Sequence, residues 1–555
     1  MFIKKFNRSL AKLLNIGGIH SWYTKRKLRS LLKDAIGAEV PENFRSDPES
    51  FVYVATSCLP YHVSGYTTRT QEILKALSKV VPHLYVLTRT GYPWDRRDSL
   101  SVPEMIPTDD RLGLCSNVVD GITYDHIPYP KNNRITANYA DEASRVFERY
   151  FMTNHISCVH AASNHVNALP ALIAARRLGI PFQYEMRGLW ELTRISRDPS
   201  FAKSNNFKLG LDLEAFVASN ADTVFVISQA LGEYIHKNWG ISKNRIKLLP
   251  NCAEINSDSD PKPATENFSG IFASSKPECD RKYSSKISPD SENGDHTTPI
   301  DFSPNSIEVT LSEVQLSEEP SSEVQSSGVP LSKVQLSEVA LSTEIPTTTS
   351  TSGVPSAFSS VTQQLLIGYA GSLIVYEGIQ ILLRAISILV HSMKISNVHL
   401  CIIGDGEYRS TLEKLSSDLG INDYVSFLGR LSPAEARAKQ SEFSLVCIPR
   451  ENFEVCRIVP PIKLAEAMAK GKCVLVPDLP VFNQELSLEG DRNKSGCLFF
   501  KAGDPEDLAR TLKKCVDHSE VLSCLGEIAR GYVARHRSWQ QYVPYIYPGY
   551  VQEVK

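Results

Sequence analysis

One long interruption in composition divides this chain, and it restricts the fold more than any other feature. Between residues 256 and 361 the sequence fills with Ser, Thr, Glu and Pro and loses every buried-strand pattern. A five-residue repeat runs through it: LSEVQ from Leu311, LSEEP from Leu316, SSEVQ from Ser321, SSGVP from Ser326, LSKVQ from Leu331, LSEVA from Leu336 and LSTEI from Leu341. Period five matches neither a helix nor a strand. A pentapeptide solenoid would need capping segments and fewer prolines than this short run offers. Such composition cannot bury enough apolar surface to offset the entropy of ordering it, so the segment is expected to be a disordered tether. A structureless stretch of that length is acceptable between two domains but not inside one.

On both sides of the tether, short β-rich runs alternate with helical patterns. Before it, Phe51–Ala55, Leu84–Leu87, Cys158–Val159, Phe182–Tyr184 and Thr223–Ile227 read as strands, with helices over 68–77, 167–178 and 230–237. After it, Leu366–Tyr369, Leu400–Ile403, Val425–Phe427, Leu445–Ile448 and Cys473–Val476 read as strands, with helices over 378–390, 408–419, 433–440 and 462–470. This alternation predicts α/β domains with parallel sheets covered on both faces. Ligands gather at the carboxyl ends of such strands, and two such domains create a cleft. The expected division is a basic N-terminal segment (1–45), a first Rossmann-like domain (46–255), the tether (256–361), a second Rossmann-like domain (362–530) and a C-terminal crossover (531–555).

A formal charge of −2 makes no case for nucleic acid as a partner. The cysteines are scattered with no C-x-x-C pair, which points away from zinc and from a disulfide framework and toward a reducing, cytoplasmic setting. No stretch reaches the roughly 20 apolar residues of a membrane span. The N-terminus is basic, with Lys4, Lys5, Arg8, Lys12, Lys25, Arg26, Lys27, Arg29 and Lys33 against Asp34, and Ile3, Phe6, Leu10, Leu13 and Leu14 recur at helical spacing before Gly17-Gly18. A face of this kind either rests peripherally on anionic lipid or packs on the chain's own body.

The strongest chemical signal follows the third C-terminal helix. Arg450 leaves the end of one strand, and Pro460-Pro461 opens the next helix with Lys463 and Glu466 three apart on its first turns. Proline suits that position because the amide it removes has no helical partner. Free amides beside Lys463 and Arg450 make a pocket suited to a diphosphate, and Glu466 can accept hydrogen bonds from ribose hydroxyls. An ordinary surface helix with an internal Lys–Glu pair is the competing reading of Lys463-x-x-Glu466 alone.

Together with Gly368-Tyr-Ala-Gly371-Ser372-Leu-Ile-Val-Tyr376-Glu377-Gly378, this string resembles family 4 of the retaining glycosyltransferases, in the branch that builds bacterial surface polysaccharide. The resemblance covers about 51–251 and 366–513. It implies the GT-B fold, two Rossmann-like doubly wound domains facing a cleft. It also implies a nucleotide-diphosphate sugar as donor, a glycan or lipid-linked acceptor, no cofactor and no metal; the Asp258-x-Asp260 spacing lies in the tether. Donor contacts are implied at Gly65, Gly371, Ser372, Tyr376, Gly406, Arg450, Lys463 and Glu466. Gly404-x-Gly406 reads equally as a plain strand-to-helix turn. The acceptor side falls to His165, ahead of His160, and to Glu185 and Arg187, which either act in the cleft or pair with each other.

Two positions depart from the family pattern. Many members place a glutamate eight residues before the one matched by Glu466, where Ile458 stands here; Glu451 and Glu454 are the candidate replacements. Many members carry a basic residue where Glu377 stands. The implied chemistry retains anomeric configuration, by front-face attack or through a covalent intermediate. Other GT-B chemistries (a nucleotide-sugar epimerase or a phosphorylase) and a non-catalytic scaffold are the alternatives.

Replacing 256–361 by about 15 Gly/Ser residues, a coil spanning roughly 20 Å, is expected to leave both domains joined and working. Loop-closure entropy is logarithmic, so stability is expected to change by only about 1 kcal/mol. Turnover and melting temperature of that variant beside the full chain provide the check; a large loss of either would show that the repeats fold or hold a partner.

Overall fold

Strands buried on both faces build the centre of each half of the chain. In the computed structural model, which describes residues 18–95, 112–254 and 364–547, the first sheet has eight strands. They are β1 (Ser50–Ala55), β2 (His83–Thr88), β3 (Cys115–Val119), β4 (Ile122–His126), β5 (Cys158–Ala162), β6 (Phe182–Met186), β7 (Thr223–Val226) and β8 (Ile246–Leu248), ordered β3-β4-β2-β1-β5-β6-β7-β8. Every residue of β1, β5 and β6 is buried, as helices on both faces require. All pairings are parallel except one. β3 and β4 form an antiparallel hairpin at the edge of an otherwise parallel sheet. The Asp120-Gly121 turn makes the reversal possible, because both residues take positive φ, 46° and 80°.

Among the described residues, seven helices surround this sheet: α1 (Ile19–Ile36), α2 (Gly65–Leu77), α3 (Thr136–Thr153), α4 (His165–Arg177), α5 (Trp190–Ile195), α6 (Asn205–Asn220) and α7 (Gln229–Trp239). Their starts are chemically marked. Ser64 and Thr67 form a reciprocal capping box on α2, and the Asn164 side chain accepts from the Val166 amide at 3.1 Å on α4. Helix α1 buries Thr24, Leu28, Leu32 and Ala35 against the domain, while Lys27 reaches Asn138 at 2.9 Å and Asp141 at 3.1 Å and Lys25 pairs with Asp212. Packing on the chain's own body therefore accounts for the helix after Gly18. The Ile3–Leu14 face and the tether lie outside the described residues.

The second sheet has six parallel strands, β9 (Leu365–Ala370), β10 (Val398–Ile403), β11 (Val425–Gly429), β12 (Leu445–Cys447), β13 (Cys473–Pro477) and β14 (Cys497–Phe500), ordered β11-β10-β9-β12-β13-β14. Its helices are α8 (Ile379–Ser387), α9 (Arg409–Asp418), α10 (Pro433–Ser441), α11 (Glu454–Ile458), α12 (Ile462–Ala469), α13 (Pro480–Leu486), α14 (Pro505–Asp517), α15 (Leu522–His536) and α16 (Trp539–Tyr542). After α15 the chain returns to the first sheet. Trp539, Val543 and Ile546 bury among Phe51, Tyr53, Ile73 and Leu74, and the Tyr547 hydroxyl donates to the Pro48 carbonyl at 3.1 Å. Among the described residues, no helix is long and apolar enough to cross a membrane.

Strand order reverses direction between β1 and β5 in one sheet and between β9 and β12 in the other. At such points the loops leaving neighbouring strands diverge and open a crevice beyond their carboxyl ends. The loops at 56–57 and 163–165 flank the first crevice, and those at 371–372 and 448–450 flank the second.

Gly368 in the centre of β9 has no room for a side chain, since a Cβ there would stand 1.9 Å from the Phe443 ring. Gly368→Ala is expected to displace that ring and cost about 1–3 kcal/mol, the range for overpacking a filled core. A denaturant midpoint that does not move would contradict this packing.

Candidate active site

The second crevice is assembled by two interlocked turns. Gly371 leaves β9 at φ 155°, a conformation open to glycine, and its amide donates to the Ile403 carbonyl at 2.9 Å. The Leu373 amide donates to the Asp405 carbonyl at 3.1 Å, and the Tyr408 amide to the Leu373 carbonyl at 3.0 Å. Cβ atoms at Gly404 and Gly406 would collide with the carbonyls of Gly371 and Leu373, at 1.8 and 2.3 Å. Gly406 is thereby explained by backbone packing against the Gly371 turn. Ser372 is exposed at the tip of that turn, with its carbonyl accepting from the Tyr369 hydroxyl at 3.0 Å.

A second close approach sets the charges. A Cβ at Gly378 would stand 1.9 Å from the Pro449 carbonyl oxygen, and the Glu451 amide donates to the Tyr376 carbonyl at 3.1 Å. The segment 376–378 is thus zipped to 449–451, which brings Glu377 against Arg450. Arg450 Nη2 donates to Glu377 Oε1 at 2.9 Å, and Lys463 Nζ donates to Oε2 at 2.6 Å and to the Tyr369 hydroxyl at 2.9 Å. Burial alone would raise the Glu377 pKa, but the two cations hold it down to about 2. Burial lowers the Lys463 pKa despite Glu377. The two cations of the sequence reading are therefore not free: they share one carboxylate, at the position where the family pattern puts a base. Arg450 also donates to the Val459 carbonyl at 2.8 Å and lies 5.7 Å from the centre of the Tyr376 ring.

Lys463 and Glu466 do share a face of α12. They line a cavity together with Ala370, Phe443, Val446 and Lys470. Burial raises the Glu466 pKa, against the opposing charges of Lys470 and Lys463. Ile458, where the family has its first glutamate, is buried, and its carbonyl accepts from the Ser228 hydroxyl. Among the candidate replacements, the Glu451 carboxylate is held by Gln380, and Glu454 is exposed at the start of α11.

Residues 458–462 form the seam between the two sheets' domains. Val459 lies 3.3 Å from where a Gly188 Cβ would be, and Ile462 lies 3.2 Å from the same point on Gly65. The Asn251 side-chain amide donates to the Pro460 carbonyl at 3.0 Å. Gly65, at the start of α2, therefore faces α12 directly.

Across the seam, the three acceptor-side residues separate into two groups. Glu185 is 1% exposed and Arg187 4%. Arg69 and Arg187 both donate through Nε to Glu185 Oε1, at 3.0 and 2.9 Å, and the Tyr53 hydroxyl donates to Oε2 at 2.7 Å. His160, also fully buried, stands 3.3 Å from Oε2. Burial opposes ionisation of Glu185, yet Arg187 and Arg69 hold its carboxyl well below the usual carboxylate range. Of the two readings of Glu185 and Arg187, the geometry shows the pairing with each other, inside a buried ion network.

His165 lies at the first crevice, at the start of α4. Its backbone amide donates to Glu214 Oε1 at 2.9 Å, and its Nδ1 lies 2.9 Å from the same oxygen. That contact leaves Nε2 as the nitrogen turned away from Glu214. Burial alone would lower the His165 pKa, but the Glu214 bond and charge outweigh it and raise the value. Glu191 stands nearby, with Oε2 buried and unbonded, and burial with the Glu214 charge pushes its carboxyl up to about 7. Gly210 makes space for it: a Cβ there would lie 2.2 Å from Glu191 Oε1.

Residues 64–252 match the family model described as Glycosyl transferase 4-like domain, and residues 364–518 match the one described as Glycosyl transferases group 1. The chain carries two glycosyltransferase domains. Solved structures agree on the architecture. Sucrose-phosphate synthase from Thermosynechococcus elongatus is similar at 12% identity with a TM-score of 0.55, over 90% of this chain and 97% of that one. Alr3699/HepE from Anabaena, in complex with UDP and glucose, is similar at 12% identity and 0.51, over 90% and 98%. A glycosyltransferase from Rickettsia africae gives 12% and 0.51, over 91% and 99%. Likeness at this identity establishes the fold, two parallel-sheet α/β domains of the GT-B kind. No curated protein matches the chain.

Within these glycosyltransferase domains, Arg69 read from sequence equally as a residue of the cleft-facing turn or as a plain first-turn residue, and Tyr369, Glu191, Glu214 and Asn251 were given no role. Arg69 and Thr70 sit in the turn already marked by Ser64-Gly65, and the Glu191 position follows Gly188-Leu-Trp190, so their neighbourhood was visible. Glu214 lies mid-helix with no local motif around it, and only the packing of α6 on α4 brings it to His165.

The Glu191 and His165 shifts have one sign in stability. Both folded-state values lie above the unfolded ones, so each group adds stability at low pH that is lost as pH rises through the folded value. For Glu191 the window runs from its ordinary 4.5 to about 7, worth up to roughly 3 kcal/mol. Stability is expected to fall between pH 5 and 8, and Glu191→Gln is expected to flatten that slope. Denaturation midpoints against pH would refute this if the variant kept the parent's slope.

Proposed function

We propose that this chain is a retaining glycosyltransferase that moves a sugar from a nucleoside-diphosphate donor to a glycan or lipid-linked acceptor. The observation that carries the reading is the placement of Arg450 and Lys463 at the switch point of the second sheet, with Ile462, next to Lys463, packed against Gly65 across the seam. The donor diphosphate would lie on the Gly371-Ser372 turn beside Lys463, with the ribose hydroxyls toward Glu466. The complex of Alr3699/HepE with UDP and glucose supports UDP as the first nucleotide to test.

In the proposed reaction the bond from the anomeric carbon to the phosphate oxygen breaks, and its electron pair stays on that oxygen. The acceptor hydroxyl oxygen attacks the same face of the anomeric carbon and passes its proton to the departing phosphate. Lys463 balances the charge that grows on the leaving group, the preorganised electrostatic stabilisation that this chemistry needs. His165, fixed through Nδ1 by Glu214, offers Nε2 to a sugar hydroxyl. Glu185 and Arg187 hold the floor of the crevice in place. Charged side chains perform these steps without a metal.

A lipid-linked acceptor is supported by the outer face of α1. There Ile19, Trp22, Arg26, Arg29, Lys33 and Ile36 are exposed at helical spacing, mixing apolar and basic groups as a peripheral helix on anionic lipid does.

Lys463→Ala is expected to weaken UDP binding at least about tenfold, the loss of one charged hydrogen bond, in protein that stays folded while Arg450 still pairs with Glu377. Calorimetry on both proteins tests it, and equal affinity would remove Lys463 from the diphosphate site. Incubation with UDP-sugars then separates the readings: a glycosylated acceptor supports transfer, an altered donor sugar indicates epimerisation, and nucleotide binding without turnover indicates a scaffold.

A further inference from the structure

The donor pocket of this chain contains its own anion. Glu377 is 5% exposed in its side chain and has both oxygens engaged, one by Arg450 and one by Lys463. Lys463, at 17%, is the more open of that pair. A ligand entering along the Gly371 turn therefore meets the ammonium first, with the carboxylate behind it. The ammonium is pinned from several sides. It lies 4.4 Å from the centre of the Tyr369 ring and would stand 2.6 Å from a Cβ on Gly371. The close approach of Gly378 to Pro449 fixes the backbone at Glu377, from which its carboxylate reaches both cations. Two positive charges and one negative leave a net charge of +1 where the sequence alone counted +2. Arg450 Nε is buried with no hydrogen-bond partner among the described residues.

On the reading of the site given above, we propose that Glu377 is a built-in anion that competes with the donor diphosphate for Lys463 and Arg450. It positions Lys463 on the Gly371 turn and at the same time cancels part of its attraction for phosphate, so that nucleoside diphosphate is held loosely and leaves readily after transfer. Glu377 acts through Lys463 and Arg450 and is a positioning residue. Two effects of one side chain are then separable. Its shape and hydrogen bonding orient the ammonium, and its charge weakens the phosphate site.

Glu377→Gln keeps the shape and one acceptor oxygen and removes the charge. Removing a like charge close to the bound phosphate is worth about tenfold or more in affinity at the effective dielectric of such sites. The expected result is UDP bound at least about tenfold more tightly by Glu377→Gln than by the unaltered protein, with a lower KM for the UDP-sugar and a kcat reduced by slower product release. A purely structural role would instead weaken UDP and raise KM. Unchanged or weaker binding by a folded Glu377→Gln protein would overturn the proposal.

Should that variant fail to fold, the unaltered protein decides. A self-neutralised pocket is expected to prefer UDP over UMP by less than about tenfold, because the second phosphate meets a site of low net charge. A preference of a hundredfold or more would overturn the proposal. Neither UDP nor GDP binding to the unaltered protein at millimolar concentration would instead sink the glycosyltransferase reading, and this proposal with it. Binding by the unaltered protein with no gain in the variant sinks this proposal alone.

Discussion

A single carboxylate, that of Glu185, ties together most of the first domain. It is buried at the end of β6 and contacts Tyr53 on β1, His160 on β5, Arg69 on α2 and Arg187 in the following loop. Arg69 extends the network by donating to the Leu249 and Pro250 carbonyls at 2.7 and 2.6 Å and to the Asn251 side chain at 3.1 Å. Asn251 in turn donates to Pro460 in the second domain. Removing one member of such a group leaves an uncompensated buried charge, at a cost of about 3–5 kcal/mol. The seam is therefore tied, through the Asn251 and Arg69 side chains, to a charge deep beneath the first crevice.

The second domain repeats the device. Glu377 lies between Arg450 and Lys463 as Glu185 lies between Arg69 and Arg187, and both triads stand at the carboxyl ends of central strands. Their difference is exposure. In the first domain every member is sealed and serves the fold, whereas in the second Lys463 remains partly open beside the Gly371 turn. Charge that is wholly desolvated by protein cannot serve a ligand, and charge at the edge of a crevice can. The seam segment 458–462 ends at Ile462, which packs against the first domain's Gly65 one residue before the second triad's lysine.

Much of the architecture was legible because parallel strands are buried on both faces and so read as short apolar runs. All ten expected strands and all seven expected helices are present, with ends differing by a few residues, because capping pairs such as Ser64–Thr67 extend helices past their apolar patterns. The β3–β4 hairpin escaped notice although Asp120-Gly121 is a strong hairpin turn; its strands are half exposed and short. Helix α3 was also passed over, although Ala140, Ala143, Phe147 and Tyr150 recur at helical spacing. Arg450, Lys463 and Glu466 were readable as a set because they lie close in sequence around one helix start.

By itself the sequence determined the two α/β domains, the break between them and the residue types at each strand end, since these depend on local periodicity and composition. Only the tertiary structure decided which charges are available. Glu377 and Lys463 lie far apart in the chain, as do Glu214 and His165, and no local pattern links either pair. Glu185 and Arg187 looked like cleft residues from their place after a strand, and the packing of α2 and the 249–251 loop over them sealed them. Whether a polar side chain serves the fold or a ligand depends on what else arrives within hydrogen-bonding distance, and that is set by non-local packing.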